Sequence, residues 1–264
     1  MLEFAFMRNA LAAGFMLSMI IPMIGVVMVN RKTSMIGDSL SHVSLAGVAL
    51  GLILGFNPVL GAMIVCIIAA FAIEYIRKRF PHYGDMATAV ITSAGLGTAA
   101  VLTKFAVGGN NFESYLFGSI SSVTINDVLG VGVVFIAVVL ANIFLYGALL
   151  DISIDLNLAR LAGVNIGVVN GIFTLLTAIT IALSCKIVGA LLVLSILVLP
   201  VATALIVCHS YKTTLIFSTG LGMIYTMAGI VISYHYDVAT GGAIVILAVI
   251  FMIVIAIWQK LTRY

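Results

Sequence analysis

Residues 34–54 read Ser34-Met35-Ile36-Gly37-Asp38-Ser39-Leu40-Ser41-His42-Val43-Ser44-Leu45-Ala46-Gly47-Val48-Ala49-Leu50-Gly51-Leu52-Ile53-Leu54. A mostly apolar run of about 20 residues, rising ~1.5 Å per residue as a helix, is long enough to cross ~30 Å of hydrocarbon. Yet this run carries a carboxylate at Asp38 and an imidazole at His42. An ionisable group inside a span costs roughly 2.5–3.5 kcal/mol on insertion scales, so it is expected to face the bundle interior or a wet path rather than lipid. The stretch thus predicts a membrane helix with one functional polar face.

The rest of the chain agrees with a lipid solvent. Of 264 residues, 63% are apolar and 8% charged, with a mean hydropathy of +1.30, whereas soluble domains carry roughly 25% charged residues. Runs bounded by Gly, Pro and charge predict an all-α, polytopic bundle of nine spans, near 9–29, 34–54, 58–76, 86–106, 127–148, 166–184, 187–207, 213–232 and 240–259. An eight-span version leaves one run re-entrant or the first half inserted. With nine crossings, Arg31, Lys32, Arg77, Lys78, Arg79, Arg160, Lys212, Lys260 and Arg263 share one side, and Arg8, Lys104 and Lys186 the other. Nine cations against three make the first side cytoplasmic, with the N-terminus outside. The net charge of +3 is spread over short loops, so no nucleic-acid footprint is present. Cys66, Cys185 and Cys208 have no CxxC spacing and read as apolar packers. No removable signal peptide is read before the first run. Residues 1–264 read as a single transmembrane domain, with the longest loops at 107–126 outside and 149–165 inside.

Asp38 and His42 are four apart, one turn apart on one helix face. Oxygen and nitrogen at that spacing can share a divalent ion of the zinc or manganese type. The alternative is structural: Asp38 pairs with Arg31 or Lys32, and His42 bonds a neighbouring helix. Glu74 is a candidate third ligand if spans two and three pack side by side, as the short Phe56-Asn57-Pro58 link encourages; an ion pair with Arg77 or Lys78 is its competing role. His235 and Asp237, flanking Tyr236 in an outer loop, could pass a metal to the entrance or simply be solvated. In the seventh span, Gly189 and Pro200 predict a broken or gating helix, because a mid-membrane proline removes a bond that lipid cannot replace.

No GxxxxGK[ST], HExxH or GxSxG motif occurs, so neither a nucleotide site nor a hydrolase site is expected, and no catalytic residue is assigned. The Gly37-Asp38-Ser39-Leu40-Ser41-His42 stretch resembles the GD-x-LSH motif of the permease subunits of zinc, manganese and iron ABC importers. The likeness extends to Phe6–Leu11, Tyr115–Gly118 with Val123-Thr124, Asp155–Val164, and Val188–Leu192 through Leu199–Ala204. That resemblance implies a fold like the type II importers and a homodimer in a bacterial cell membrane. It also implies two cytoplasmic ATPase subunits that hydrolyse the ATP, and an extracytoplasmic metal-binding protein. It further implies that Asp38 and His42 are transient pathway ligands, with Glu74 weaker, and that segment 151–165 is the coupling segment, with Asp155, Ala159, Arg160 and Gly163. No tightly held cofactor is implied; the metal is cargo. Ser41-His42-Val43-Ser44-Leu45-Ala46-Gly47 is most similar to zinc permeases, with manganese or iron as the alternative cargo. A gradient-driven secondary transporter, with Asp38 as its protonation site, is the alternative of another class.

Overall fold

The structure is a computed structural model that describes residues 4–80, 83–105, 112–236 and 238–262. In chain order its helices are α1 (Ala5–Asn30), α2 (Met35–Leu54), α3 (Pro58–Arg79), α4 (Gly84–Thr103), α5 (Phe112–Phe117), α6 (Ile125–Phe144), α7 (Tyr146–Ile154), α8 (Leu156–Leu161), α9 (Ile166–Ile187), α10 (Val193–Val207), α11 (Tyr211–Tyr236) and α12 (Thr240–Thr262). Among the described residues there is no strand, and nine helices are long and apolar enough to cross a membrane: α1–α4, α6 and α9–α12. The seventh of these reaches span length with the 3₁₀ turn Ala190–Leu192 that leads into α10.

Local chemistry sets the helix ends. Gly55 closes α2 at φ +73°, and Asn57 caps α3 through a Val59 N–H to Oδ1 bond of 2.9 Å, with Pro58 in the first turn. Thr124 and Asp127 form a reciprocal capping box at the start of α6. Two expected spans differ in detail. The fifth stops at Phe144 and re-forms as the short α7, rather than running to 148. The seventh is not continuous from 187: α9 extends to Ile187, and Gly189, at φ +96°, turns the chain before α10 begins at Val193. Of the two residues expected to break this helix, only Gly189 does so. Pro200 lies buried inside an unbroken α10, where it removes one bond from a helix held by its neighbours.

Helices α1 and α2 form the centre, with 72% and 67% of their apolar windows buried, against 22% for the peripheral α4, α6 and α12. Burial carries little hydrophobic gain in lipid, so close backbone contact through small residues does much of the packing. A Cβ added at Gly47 of α2 would lie 2.5 Å from the Gly61 carbonyl oxygen of α3 and 2.6 Å from the Ala62 Cα; one at Gly51 would lie 2.7 Å from the Pro58 Cα. On α1, Gly14 packs on Ile230 and Met227 of α11, and Gly222 of α11 packs on Pro22 and Ser18 of α1.

The backbone at Gly61 cannot yield as a flexible side chain would. Gly47→Val is therefore expected to cost about 2 kcal/mol or more and to lower the thermal midpoint of the purified protein. Gly220→Ala, where a Cβ meets nothing within 4 Å, is expected to leave it unchanged. Equal midpoints for Gly47→Val and wild type would refute this packing.

Candidate functional site

Each residue turns a helix by about 100°, so successive residues of α2 report what surrounds it. Ser39 donates to the Thr88 carbonyl of α4 at 2.8 Å and shares a short hydroxyl contact with Thr92, and Val43 presses against Gly95 of the same helix. Leu40 accepts at its carbonyl from Cys66 of α3 at 3.3 Å, beside the Gly47 contact. Ser44 meets the Cys185 thiol of α9 at 2.9 Å. Gly37 lies against Ile181 of α9 and Leu197 of α10. These partners occupy most of the circumference. The sector left open at the N-terminal end of α2, the end expected to be cytoplasmic, carries Met35, Asp38 and His42.

Here His42 Nε2 lies 3.6 Å from Asp38 Oδ1, with side-chain exposures of 16% and 36%. Asp38 does not pair with Arg31 or Lys32; the Arg31 guanidinium instead donates to Asn170 Oδ1 of α9 at 3.0 Å. His42 Nδ1 is buried with no hydrogen-bond partner, an unusual state for an imidazole nitrogen that can donate or accept. Toward the outer end the same sector is closed: Leu45 and Ala49 are buried, and α2 meets the Ala190–Leu192 turn and α5. The pair thus sits on an uncovered face with a roof above it. Two ligands of one tetrahedral ion with bonds near 2.1 Å stand about 3.4 Å apart, which is close to the separation of this nitrogen and oxygen.

Glu74 does not join them. It pairs with Lys78 at 3.2 Å and lines a small cavity with Arg31, Arg77 and Thr177, on the side of α2 that carries Ile36 and Leu40. Those two residues project roughly opposite Asp38. The competing local ion pair is what forms. Among the described residues no group of three or more His, Cys, Asp or Glu could hold a metal. One chain therefore offers two ligands, too few for a closed zinc site. His235 is exposed at the end of α11 with Nδ1 3.0 Å from the Val231 carbonyl oxygen, and Asp237 lies outside the described residues. Beside α11, residues including Ser119, Ser121, Ser233, Tyr234 and Thr240 line a cavity of about 460 Å³.

At the end of the bundle that holds the α1–α2 link, Asp155 caps α8 by accepting from the Asn157 N–H at 2.7 Å, and Gly163 follows at φ +78°. Ala159 is fully buried against a small cluster with Leu149, Ile152, Val169 and Val27. Leu156, Leu158 and Leu161 are exposed by 44%, 57% and 85%, and Arg160 is exposed too. The helix is anchored on one face and offers leucines on the other.

The outer end holds an interaction absent from the candidate residues of the sequence reading. Lys186 Nζ, on the last turn of α9, meets Asp127 Oδ2 of α6 at 2.6 Å, with side chains only 15% and 10% exposed. Just beyond, Gly118 (φ +79°) and Gly189 (φ +96°) bring two backbones together, since a Cβ on Gly118 would lie 2.5 Å from the Ile187 carbonyl oxygen. The Ser119 N–H donates to the Lys186 carbonyl at 3.2 Å. Burial, with the Asp127 carboxylate nearby, pushes the Tyr115 phenol above its usual pKa. The Thr124-x-x-Asp127 capping spacing was readable; the partner across 59 residues was not.

The chain belongs to the ABC 3 transport family, whose signature it matches over residues 3–259. Haemophilus influenzae has a relative described as "High-affinity zinc uptake system membrane protein ZnuB", 32% identical, with 97% of this chain and 98% of the relative covered. One in Streptococcus parasanguinis, "Manganese import system permease protein ScaB", is 29% identical over 96% and 90%. Among solved structures, "PsaBC from Streptococcus pneumoniae in complex with Fab" superposes with a TM-score of 0.87 at 28% identity, covering 98% of this chain and 96% of that one.

Breaking a part-buried ion pair leaves an incompletely solvated charge, so Asp127→Asn and Lys186→Met are each expected to cost about 1–2 kcal/mol, between the exposed and the fully buried cases. The double variant should regain much of that loss. Strictly additive losses in this cycle would show that the two groups do not stabilise one another.

Proposed function

We propose that this chain is the membrane-spanning permease of an ATP-driven importer that brings a divalent metal ion, zinc, into a bacterial cell. The observation that carries this reading is the Asp38–His42 pair on the uncovered face of a buried helix, with a ring nitrogen left without a partner. A second copy of the chain facing that side would double the ligand set to two carboxylates and two imidazoles. Such an N and O set suits zinc, and manganese as well. Each copy alone holds an ion weakly, which suits a carrier that must release its cargo. Relatives named for zinc and for manganese leave both metals in view. Zinc is favoured by the Ser41–Gly47 wording, and manganese is the second reading.

In this mechanism an extracytoplasmic metal-binding protein delivers the ion at the outer face. The ion passes the roof formed by the Ala190–Leu192 turn and α5 when that roof parts from α2. Asp38 and His42 replace part of its hydration shell. Two cytoplasmic ATPase subunits dock on Leu158 and Leu161 of α8 and move it, and Ala159 transmits that movement to α7 and α9, which share its cluster. The chain itself needs no catalytic residue.

The test is metal accumulation by elemental analysis in metal-starved cells carrying the permease with its ATPase and binding protein. Zinc uptake that needs ATP, and that falls at least about tenfold in Asp38→Asn and His42→Ala, the loss of roughly 1.4 kcal/mol of binding, is the expected outcome. Full zinc uptake by both variants at normal membrane levels would remove the pair from the path. Uptake of manganese in place of zinc would change the cargo. Uptake that persists without ATP on a proton gradient would replace the ATPase by a coupled ion. Leu158→Asp/Leu161→Asp is expected to abolish copurification of the ATPase while the permease still folds; an ATPase that stays bound would place the docking surface elsewhere.

A further inference from the structure

A second charged site lies at the cytoplasmic end, on the far side of α2 from the metal pair. The end of α1, the last turn of α3 and the α7–α8 junction enclose a cleft of about 490 Å³. Arg31, Lys32, Arg77 and Arg160 all line it. Among the described residues none of these four makes an ion pair within 4 Å. Glu74 pairs with Lys78, and Asp155, whose carboxylate accepts from the Asn157 N–H, is the one acidic residue in the lining, against four cations. The preference for cations on the cytoplasmic side accounts for the sign of the charge, but not for its arrangement. Arg31 is recessed and held in place by Asn170 at 3.0 Å. Burial lowers its proton affinity, Glu74 opposes that, and the like charge of Arg77 adds to it. Gathering unpaired cations in a fixed cleft is unfavourable until an anion enters.

We propose that this cleft binds a phosphate group, and specifically the headgroup phosphate of an anionic phospholipid of the inner leaflet. Depth supports a lipid source. Asn30 ends α1 and Arg77 sits on the last turn of α3, so the cations stand where two spans leave the hydrocarbon, at headgroup level. Basic pockets between helix ends on the cytoplasmic side are the sites that hold such headgroups. Composition supports it too: Ile154 and Leu156, exposed by 70% and 44%, line the same cleft, so it presents apolar surface beside the cations, as an amphiphile requires and free phosphate does not. The site shares its wall with Asp155 and Arg160, at the root of α8.

The test uses the purified full-length chain in neutral detergent, titrated with short-chain phosphatidylglycerol, with phosphatidylcholine of the same chains, and with inorganic phosphate. Binding is read by calorimetry. Phosphatidylglycerol is expected to bind at least about tenfold more tightly than phosphatidylcholine. Lys32→Gln and Arg77→Gln should each weaken it about fivefold, the contribution of one basic side chain at an anionic surface. Lys104→Gln, at the opposite membrane face, should change nothing. Arg31 is left intact so that its bond to Asn170 does not confuse folding with binding. Competition by millimolar phosphate would support the phosphate chemistry, while tight phosphate binding without phosphatidylglycerol binding would overturn the lipid source. Equal affinity for the two lipids, or unchanged phosphatidylglycerol binding by the Lys32→Gln/Arg77→Gln double variant, overturns the site. If that double variant keeps the lipid but loses the ATPase, the cleft belongs to the protein partner instead.

Discussion

The approach of α2 to α3 at Gly47 and Gly61 governs the rest of the molecule. Carbonyl oxygen against Cα leaves no freedom for α2 to rotate, and because a helix turns a fixed angle per residue, setting one face sets them all. With Gly47 and Gly51 against α3, Ser39 and Val43 must meet α4, and Ser44 must meet α9. Asp38 and His42 are then left on the remaining side. In hydrocarbon this matters more than it would in water, because a carboxylate turned toward lipid would cost kilocalories per mole. The glycine contact therefore does electrostatic work: it aims the face that carries both ionisable groups of α2 away from the packed helices.

At the outer end another backbone contact has the same character. Gly118 and Gly189 occupy the left-handed region and touch, and the Lys186–Asp127 pair clamps the ends of α9 and α6 beside them. The chain reverses at Gly189 to lay the Ala190–Leu192 turn over α2. Val188 and Ala190 are each 1% exposed within the main core, and the turn contacts α2, α5, α10 and α12, so it forms a discrete roof rather than a frayed end.

The cytoplasmic face divides its charges and its apolar surface between two tasks. Leucines of α8 point outward from a helix anchored at Ala159, while the cations of the α1, α3 and α8 ends gather in the neighbouring cleft. Both surfaces meet at Asp155 and Arg160, so the short α8 adjoins an apolar surface and a basic one. Glu74 belongs to this end of the molecule, neutralising Lys78 in the last turn of α3.

Much of this was legible in the chain itself. Length and hydropathy of each run pointed to nine helices, with eight as the alternative, because crossing hydrocarbon is a constraint each span meets by itself; the described residues hold nine of that length. Asn57, Gly55, Asp155 and Gly163 fixed helix ends through caps that involve only near neighbours. Asp38 and His42 stood out because charge inside an apolar run is costly, and their four-residue spacing placed them on one face. Other roles stayed open in the sequence. Glu74 could have turned toward the pair or toward Lys78, four residues on, and the local ion pair is what forms; Pro200 could have broken its helix, and α10 runs through it. The Lys186–Asp127 clamp and the gathering of Arg31, Lys32, Arg77 and Arg160 join segments far apart in sequence, and no local pattern encodes which ends meet. Sequence determined which segments enter the membrane and which groups are expensive there; only tertiary packing, by fixing the rotation of each helix, decided which of those groups face one another.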